Sequence, residues 1–226
     1  MELWLQEHLE SYQHNPFPNQ VLALTNRRIE HIDWIPDNIY QINLGFNQLK
    51  AIPALNRYVK VLILEHNQLQ TLPFLPDKLL LLNVNLNRQL QTLPVLPQGL
   101  ESLRAMHCSL RELPSLPSSL EYLNVSYNQL ENLPRLPDRL YALMVAGNCL
   151  KDLPLLPESL KQLDIRMNPV LEAKYGGKTI DEIRALQRLE RAKPRMQMIK
   201  EDLMAAAWHP KRVWKMIEAG IDTEDM

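Results

Sequence analysis

A chain of 226 residues, 46% hydrophobic and 23% charged, has enough apolar side chains to bury one or two folded domains and falls outside the disordered class. Its 25 basic and 26 acidic residues leave a formal charge of -1, so no overall field draws it to a nucleic acid or an anionic membrane. Two cysteines are too few for a secreted disulfide scaffold, and 17 prolines against six glycines point to proline as the organising residue.

The first residues carry Glu2, Glu7 and Glu10 and lack the basic leader, apolar stretch and small-residue cleavage site of a secretory signal. No stretch approaches the ~20 uninterrupted apolar residues of a membrane helix. The expectation is a soluble, cytoplasmic protein with no membrane contact. Residues 2 to 13 read as an amphipathic helix with Leu5, Leu9 and Tyr12 on one face, ended before Pro16 and Pro18. That predicts a structural N-terminal cap over residues 1–18.

From residue 19 to 170 the chain repeats itself. Ile42, Leu62, Leu82, Leu103, Leu123, Leu143 and Leu163 align in steps of 20, 20, 21, 20, 20 and 20 residues, and Leu22 adds a weaker rung, giving eight. The one long step comes from an extra residue between Asn87 and Leu90. Each rung reads L-x-V-x-x-N-x-L-x-x-L-P-x-L-P, as in Leu123 to Pro137. The alternating apolar pair, such as Leu143 and Val145, predicts a short strand with those two side chains inward. Asn47, Asn67, Asn87, Asn128, Asn148 and Asn168 fill one slot, where stacked amides can satisfy backbone groups freed as each strand bends away. Cys108 fills that slot once, tolerable because a thiol still donates weakly, and Arg27 marks the first rung as a degenerate, capping one.

Twelve of the 17 prolines fall in two slots on the return leg of each rung. No helix could hold them there, so the outer leg is predicted to be extended and polyproline-like. The signature L-P-x-L-P recurs at 72–76, 93–97, 113–117, 133–137 and 153–157. On these motifs, residues 20 to 170 resemble the short 20-residue leucine-rich repeats of bacterial effectors of the YopM and IpaH type. The fold so implied is a leucine-rich repeat solenoid: a parallel sheet on the concave face, an extended polyproline-like convex side, and helical caps at both ends. The resemblance further implies a protein-binding module, in some relatives the substrate-recognition half of a ubiquitin ligase. The ligase half of such relatives is a long helical domain with a nucleophilic cysteine, and no cysteine follows Cys149 here.

Beyond Asn168-Pro169 the composition shifts to helix formers, predicting a helical C-terminal cap over 171–226. Thr179 to Glu182 form a capping box, followed by Ile183, Leu186 and Leu189 on one face up to Pro194. A second helix is expected over 195–207, and a third from Pro210 to Gly220 with Val213, Trp214 and Ile217 inward. The segment 207–215 is similar to a short tail on repeat proteins of giant DNA viruses, an alternative source for the chain. Arg195, Lys200, Lys211, Arg212 and Lys215 make up most of the one basic patch. It reads as a solvated helix face ahead of a contact for an acidic partner, RNA or lipid headgroups. Trp208 and Trp214 could stack on bases, although paired aromatics more often close a small core.

No constellation for catalysis emerges. Gly177-Lys178-Thr179 lacks the glycine that a phosphate loop needs five residues earlier, where Glu172 stands, so Gly176 and Gly177 read as a turn. His66 and His107 share a slot two rungs apart, ~10 Å, too far for a common metal held at ~2.1 Å. Cys108 and Cys149, also two rungs apart, exceed the ~7 Å Cα limit of a disulfide and should stay reduced. Glu65 and Asp164 are five rungs apart, beyond paired acid and base work. The chain is expected to be a non-enzyme without metal or cofactor.

What remains is the concave face. By register, Val61, Leu81 and Tyr122 precede the inward pair, Ile63, Asn83, Arg104, Asn124 and Met144 lie within it, and Met106 follows it. Apolar groups among polar ones on a wetted sheet resemble a protein-binding patch, with Tyr122, Arg104 and Met144 as anchors. Scattered apolar residues are also common on any surface, and the patch reading is preferred. The partner expected is an unidentified protein of the host cell, docking on a monomer. The alternatives are an adaptor whose C-terminal helices recruit ubiquitination or other machinery, and nucleic acid bound by the basic helices.

Overall fold

The computed structural model describes residues 3–13 and 20–207. In chain order these form helix α1 (Leu3–Gln13), strands β1 (Gln20–Ala23), β2 (Ile39–Asn43), β3 (Val61–Ile63), β4 (Leu81–Asn83), β5 (Ser102–Arg104), β6 (Tyr122–Asn124), β7 (Ala142–Met144) and β8 (Gln162–Asp164), and helices α2 (Pro169–Tyr175) and α3 (Ile180–Ala207). The chain divides into two compact units, Met1–Ile180 and Asp181–Met226.

In the first unit the strands form one sheet in the order β1 to β8, with each neighbouring pair parallel. The register advances one repeat per strand, so Leu62, Leu82, Leu103, Leu123, Leu143 and Leu163 stand in one row, as the repeat predicts. No helix lies within residues 20–168, and the outer legs return without one because proline bars it. The second proline of each signature has a further use. The carbonyls of Pro76, Pro97, Pro117, Pro137 and Pro157 accept the N–H three residues on at 3.0–3.2 Å, closing the turn that leads into the next strand. One rung then seals itself: Leu143, Val145, Leu150, Leu153, Leu156 and Leu160 are all buried.

The asparagine slot works as its position suggests. In each of Asn47, Asn67, Asn87, Asn128, Asn148 and Asn168 the Nδ2 donates to a carbonyl of its own rung and one of the rung before, at 2.7–3.0 Å. Each Oδ1 accepts a backbone N–H of the preceding rung at 3.0–3.1 Å, from Ile29, Leu49, Leu69, Leu110, Leu130 and Leu150 in turn. One amide thus satisfies three buried backbone groups.

The rung with the extra residue departs from this in two matched ways. Cys108 donates its thiol to the Val84 carbonyl at 3.3 Å but has no oxygen to accept with. The N–H that would need that oxygen belongs to Leu90, and it donates to the Asn87 carbonyl at 3.0 Å instead. The inserted residue therefore supplies locally the bond that the cysteine cannot. Burial raises the Cys108 thiol pKa from the ordinary 9.0 to about 11.

At the front, α1 buries Leu5 and Leu9 and half-buries Tyr12, as its spacing predicts. The side chains of Gln20 and Asn38 donate to the Tyr12 carbonyl at 3.2 and 2.8 Å. At the back, α2 is a short helix that the sequence reading passes over. Pro169 occupies its first turn, where a missing N–H costs nothing. Asn168 stands at its N-cap yet makes no capping bond, its amide being spent on the asparagine row. Leu171 and Tyr175 are buried, and Asp152 of the seventh rung accepts from the Tyr175 hydroxyl at 2.8 Å and the Lys174 ammonium at 3.0 Å.

In the second unit one expectation is corrected. A helix ending at Pro194 and another over 195–207 are instead a single helix, α3, with Pro194 inside it. The residues around Pro194 are mostly exposed, so water can serve the carbonyl that the ring cannot, and strong helix formers on both sides carry the helix through. Ile183 is buried, Leu186 half-buried and Leu189 exposed. The expected helix from Pro210, Trp208, Trp214 and the viral-tail segment beyond Ala207 lie outside the described residues.

Candidate functional site

Side chains of the strands alternate, so each rung presents three positions on the concave face: the first strand residue, the third, and the residue two beyond it. Arg104 is exposed there, its guanidinium 5.2 Å above the Tyr122 ring on the next strand. Two of the three anchors named from sequence, Arg104 and Tyr122, thereby form one unit, a cation over an aromatic face.

The apolar members stand differently from the expectation. Val61, Ile63, Leu81, Tyr122, Met106 and Met144 are half-buried, not open. Register explains this, because Val61 stands beside Leu81, Tyr122 beside Ala142, and Asn124 beside Met144, and strands ~4.8 Å apart let each side chain shield its neighbours. Asn83 is buried at 7% exposure, its Nδ2 donating to Glu65 Oε2 at 2.9 Å. Asn124 is half-buried, and its Oδ1 accepts the Ser126 N–H. At the far end Asp164 is held by Arg166 through two bonds of 2.7 and 2.9 Å, which keep its carboxyl below the usual range and leave the pair neutral. The Ser102 hydroxyl, in register between Leu81 and Tyr122, is buried without a partner.

Along the exit edge of the strands runs a ridge that sequence reasoning missed. Asn26, Phe46, His66, Leu86, His107, Tyr127 and Met167, each just before the asparagine slot, have φ between 52° and 60°. This left-handed backbone is unfavourable for bulky residues, but from Phe46 to Tyr127 each N–H donates to a carbonyl of the next rung, and that holds it. Phe46 stacks on His66, and His107 on Tyr127, both with ring centroids 4.4 Å apart and planes within 15°. At Gly147 a Cβ would lie 2.6 Å from Tyr127 Cδ1, so the glycine gives the ring room to lean across its rung to Met167, 3.7 Å from its hydroxyl. Each histidine thus has an aromatic neighbour in its own slot, a signal readable down the columns of the repeat. Sequence reasoning also missed Phe74 and Val95, 92% and 82% exposed at the middle of the proline signature.

Among the described residues no group of three His, Cys, Asp or Glu side chains is placed to hold a metal ion. Both cysteines are free, Cys108 buried and Cys149 exposed in an open groove of about 720 Å³ with Arg111, Glu112 and Glu131. No described helix is long and apolar enough to cross a membrane. Of the basic patch, Arg195 and Lys200 are exposed on α3, and Lys211, Arg212 and Lys215 lie outside the described residues.

No protein-family model matches the chain, and no curated protein does. Solved structures do. YopM from Yersinia pestis, described as a leucine-rich effector protein, is 34% identical with a TM-score of 0.64, over 73% of this chain and 46% of that one. YopM from Yersinia enterocolitica WA-314 is 32% identical with a TM-score of 0.56, over 60% of this chain and 34% of that one. A Shigella effector leucine-rich-repeat domain, at 24% identity and a TM-score of 0.59, covers 85% of this chain and 93% of its own, and shows the fold alone. The chain therefore spans less than half the length of either YopM structure. Its first unit is a leucine-rich repeat solenoid of the kind these effectors carry.

Proposed function

We propose that the chain is a non-enzymatic interaction module that docks a partner protein, in a host cytosol, on the concave face of the sheet. The observation that carries this reading is Arg104 lying over Tyr122 in the middle of the sheet, among half-buried Val61, Ile63, Leu81, Met106 and Met144. An arginine paired with an aromatic, set among apolar side chains and ringed by Asn83 and Asn124, has the composition of an interface centre. The likeness to leucine-rich-repeat effectors supports the same use. The test is Tyr122→Asp with Met144→Asp. The double variant should keep its fold by circular dichroism and lose cytosolic partners captured by the parent chain, whereas unchanged capture removes the face from consideration.

A second reading, the adaptor, has one observation in its favour. Met196, Met198, Ile199 and Met204 on α3 are 49–63% exposed, an apolar set that a helix-binding groove could take. Met196→Asp with Met198→Asp should then abolish capture of one partner while the concave-face partner stays bound. Binding of RNA through Arg195 and Lys200 is a third reading, and it requires affinity that falls steeply with salt.

A further inference from the structure

The concave face is biased toward hydrogen-bond donors, and one repeated piece of backbone chemistry is the cause. Asn43, Asn83, Asn124 and Asp164, in the same slot of four rungs, each accept through Oδ1 the backbone N–H two residues on, at 3.1 Å. A backbone N–H can only donate, so the oxygen is the atom held down and the NH2 of each asparagine is the atom turned away. Asn85 does the same across the rung, its Oδ1 taking the Met106 N–H at 2.7 Å. Asn83 spends its NH2 on Glu65. Among the described residues, the NH2 groups of Asn43, Asn85 and Asn124 meet no acceptor of the chain.

At Arg104 the charge favours an acceptor as well. The Asp164 and Arg166 pair is self-neutral and Glu65 holds Asn83, while Arg104 meets no carboxylate among the described residues. Register sets Asn124 beside Arg104 on the next strand, and Asn85 lies two residues past Asn83, its partner on the strand before. Three sets of donors therefore lie on three adjacent rungs, with Arg104 over the Tyr122 ring.

Resting on the reading that a protein docks on this face, we propose that the occupant is an acidic polypeptide segment whose carboxylate is held by Arg104 between the amides of Asn85 and Asn124, with an apolar side chain covering Tyr122. A carboxylate offers two oxygens and four lone-pair directions, which match a guanidinium fork and two amides. A nucleic acid fits less well. A polyanion needs several cations along its track, whereas among the described residues Arg104 is the one cation at the centre of the face without a carboxylate partner.

The test selects a displayed library of short random peptides on the full chain. Selected peptides should be rich in Asp or Glu beside an apolar residue, and Arg104→Glu should turn the preference to Lys or Arg with circular dichroism unchanged. Replacing the acidic residue of one selected peptide by its amide, or Arg104 by Ala, should weaken binding on the order of 10- to 100-fold. Peptides that are lost on Tyr122→Asp with Met144→Asp, yet carry no acidic bias and ignore Arg104→Glu, overturn this proposal and leave the docking face standing. Peptides indifferent to both sets of variants overturn both, as does a library without binders. A single-stranded RNA that displaces the peptides and binds with a steep salt dependence overturns it in favour of nucleic acid.

Discussion

Asn128 and Asn124 stand in one rung and are used in opposite ways. The amide of Asn128, buried in the turn, serves the carbonyls of Ala105 and Val125 and the N–H of Leu110. The amide of Asn124, at the sheet surface, accepts the Ser126 N–H through its oxygen, and its NH2 meets no acceptor among the described residues. The residue is the same and the slot decides. Where two rungs of backbone curve around it, asparagine is consumed by the fold; where one side is open to water, half of its bonding capacity is left for something else. Side-chain bonds that build the fold and bonding groups left open at the surface are thus divided between two columns of the repeat.

The largest effect that would break the comparison is on stability. Asn128→Ala leaves three backbone groups without their side-chain partner, at about 1–3 kcal/mol for each buried one, so a loss of roughly 3 kcal/mol or more is expected in urea unfolding. Asn124→Ala removes one bond at a wetted surface and should cost about 1 kcal/mol or less. Equal losses would erase the distinction between the columns.

The next effect concerns the member of the buried column that is not an asparagine. Burial disfavours the thiolate of Cys108 and pushes its pKa from the ordinary 9.0 of the unfolded chain up to about 11 in the fold. The neutral thiol's contribution is therefore complete below pH 9, and it is lost as pH rises from 9 to 11, where the unfolded chain gives up its proton first. Between those limits the parent should lose roughly 2–3 kcal/mol more than Cys108→Ala does, read from unfolding curves across the range. Parallel pH profiles would place the thiol in contact with water.

The smallest effect sharpens the link between Cys108 and the extra residue of its rung. Cys108→Asn brings in an amide oxygen whose natural donor, the Leu90 N–H, already serves Asn87, so it should cost about 1 kcal/mol despite restoring the consensus residue. Deleting Arg88 in the same chain returns the rung to regular length and should recover that loss. A Cys108→Asn variant that is stabilised on its own would show that insertion and cysteine are unrelated.

The legible parts of this molecule are those set by one residue per rung. The period places Leu62 to Leu163 in a single row, the prolines bar a helix from the outer leg, and the asparagine slot carries its own chemistry, so fold and buried column were open to reading. Helix α2 was not, because seven residues give little periodicity and Tyr175 is held by Asp152 a rung away. Locally Pro194 signals a stop, whereas a proline in an exposed stretch can be carried by the helix around it. The alternation of each strand is legible in the sequence, but the half-burial of the concave residues depends on neighbours across strands. The stacks of Phe46 on His66 and His107 on Tyr127 are legible only when the column is read across rungs, because a histidine taken singly suggests a metal ligand or an ordinary surface residue. The donor bias was out of reach, since it depends on which atom of each amide the backbone holds.

The most direct measurement is the side-chain NH2 signals of the asparagines in a ¹⁵N-labelled chain, recorded while a peptide selected on the protein is added. The signals of Asn85 and Asn124 should move together with the Arg104 guanidinium, while those of Asn67, Asn128 and Asn148 stay where they are. Binding that shifts only signals near Cys149 or on α3, or that moves the buried column as much as the surface one, would contradict the assignment of the concave face as the docking surface.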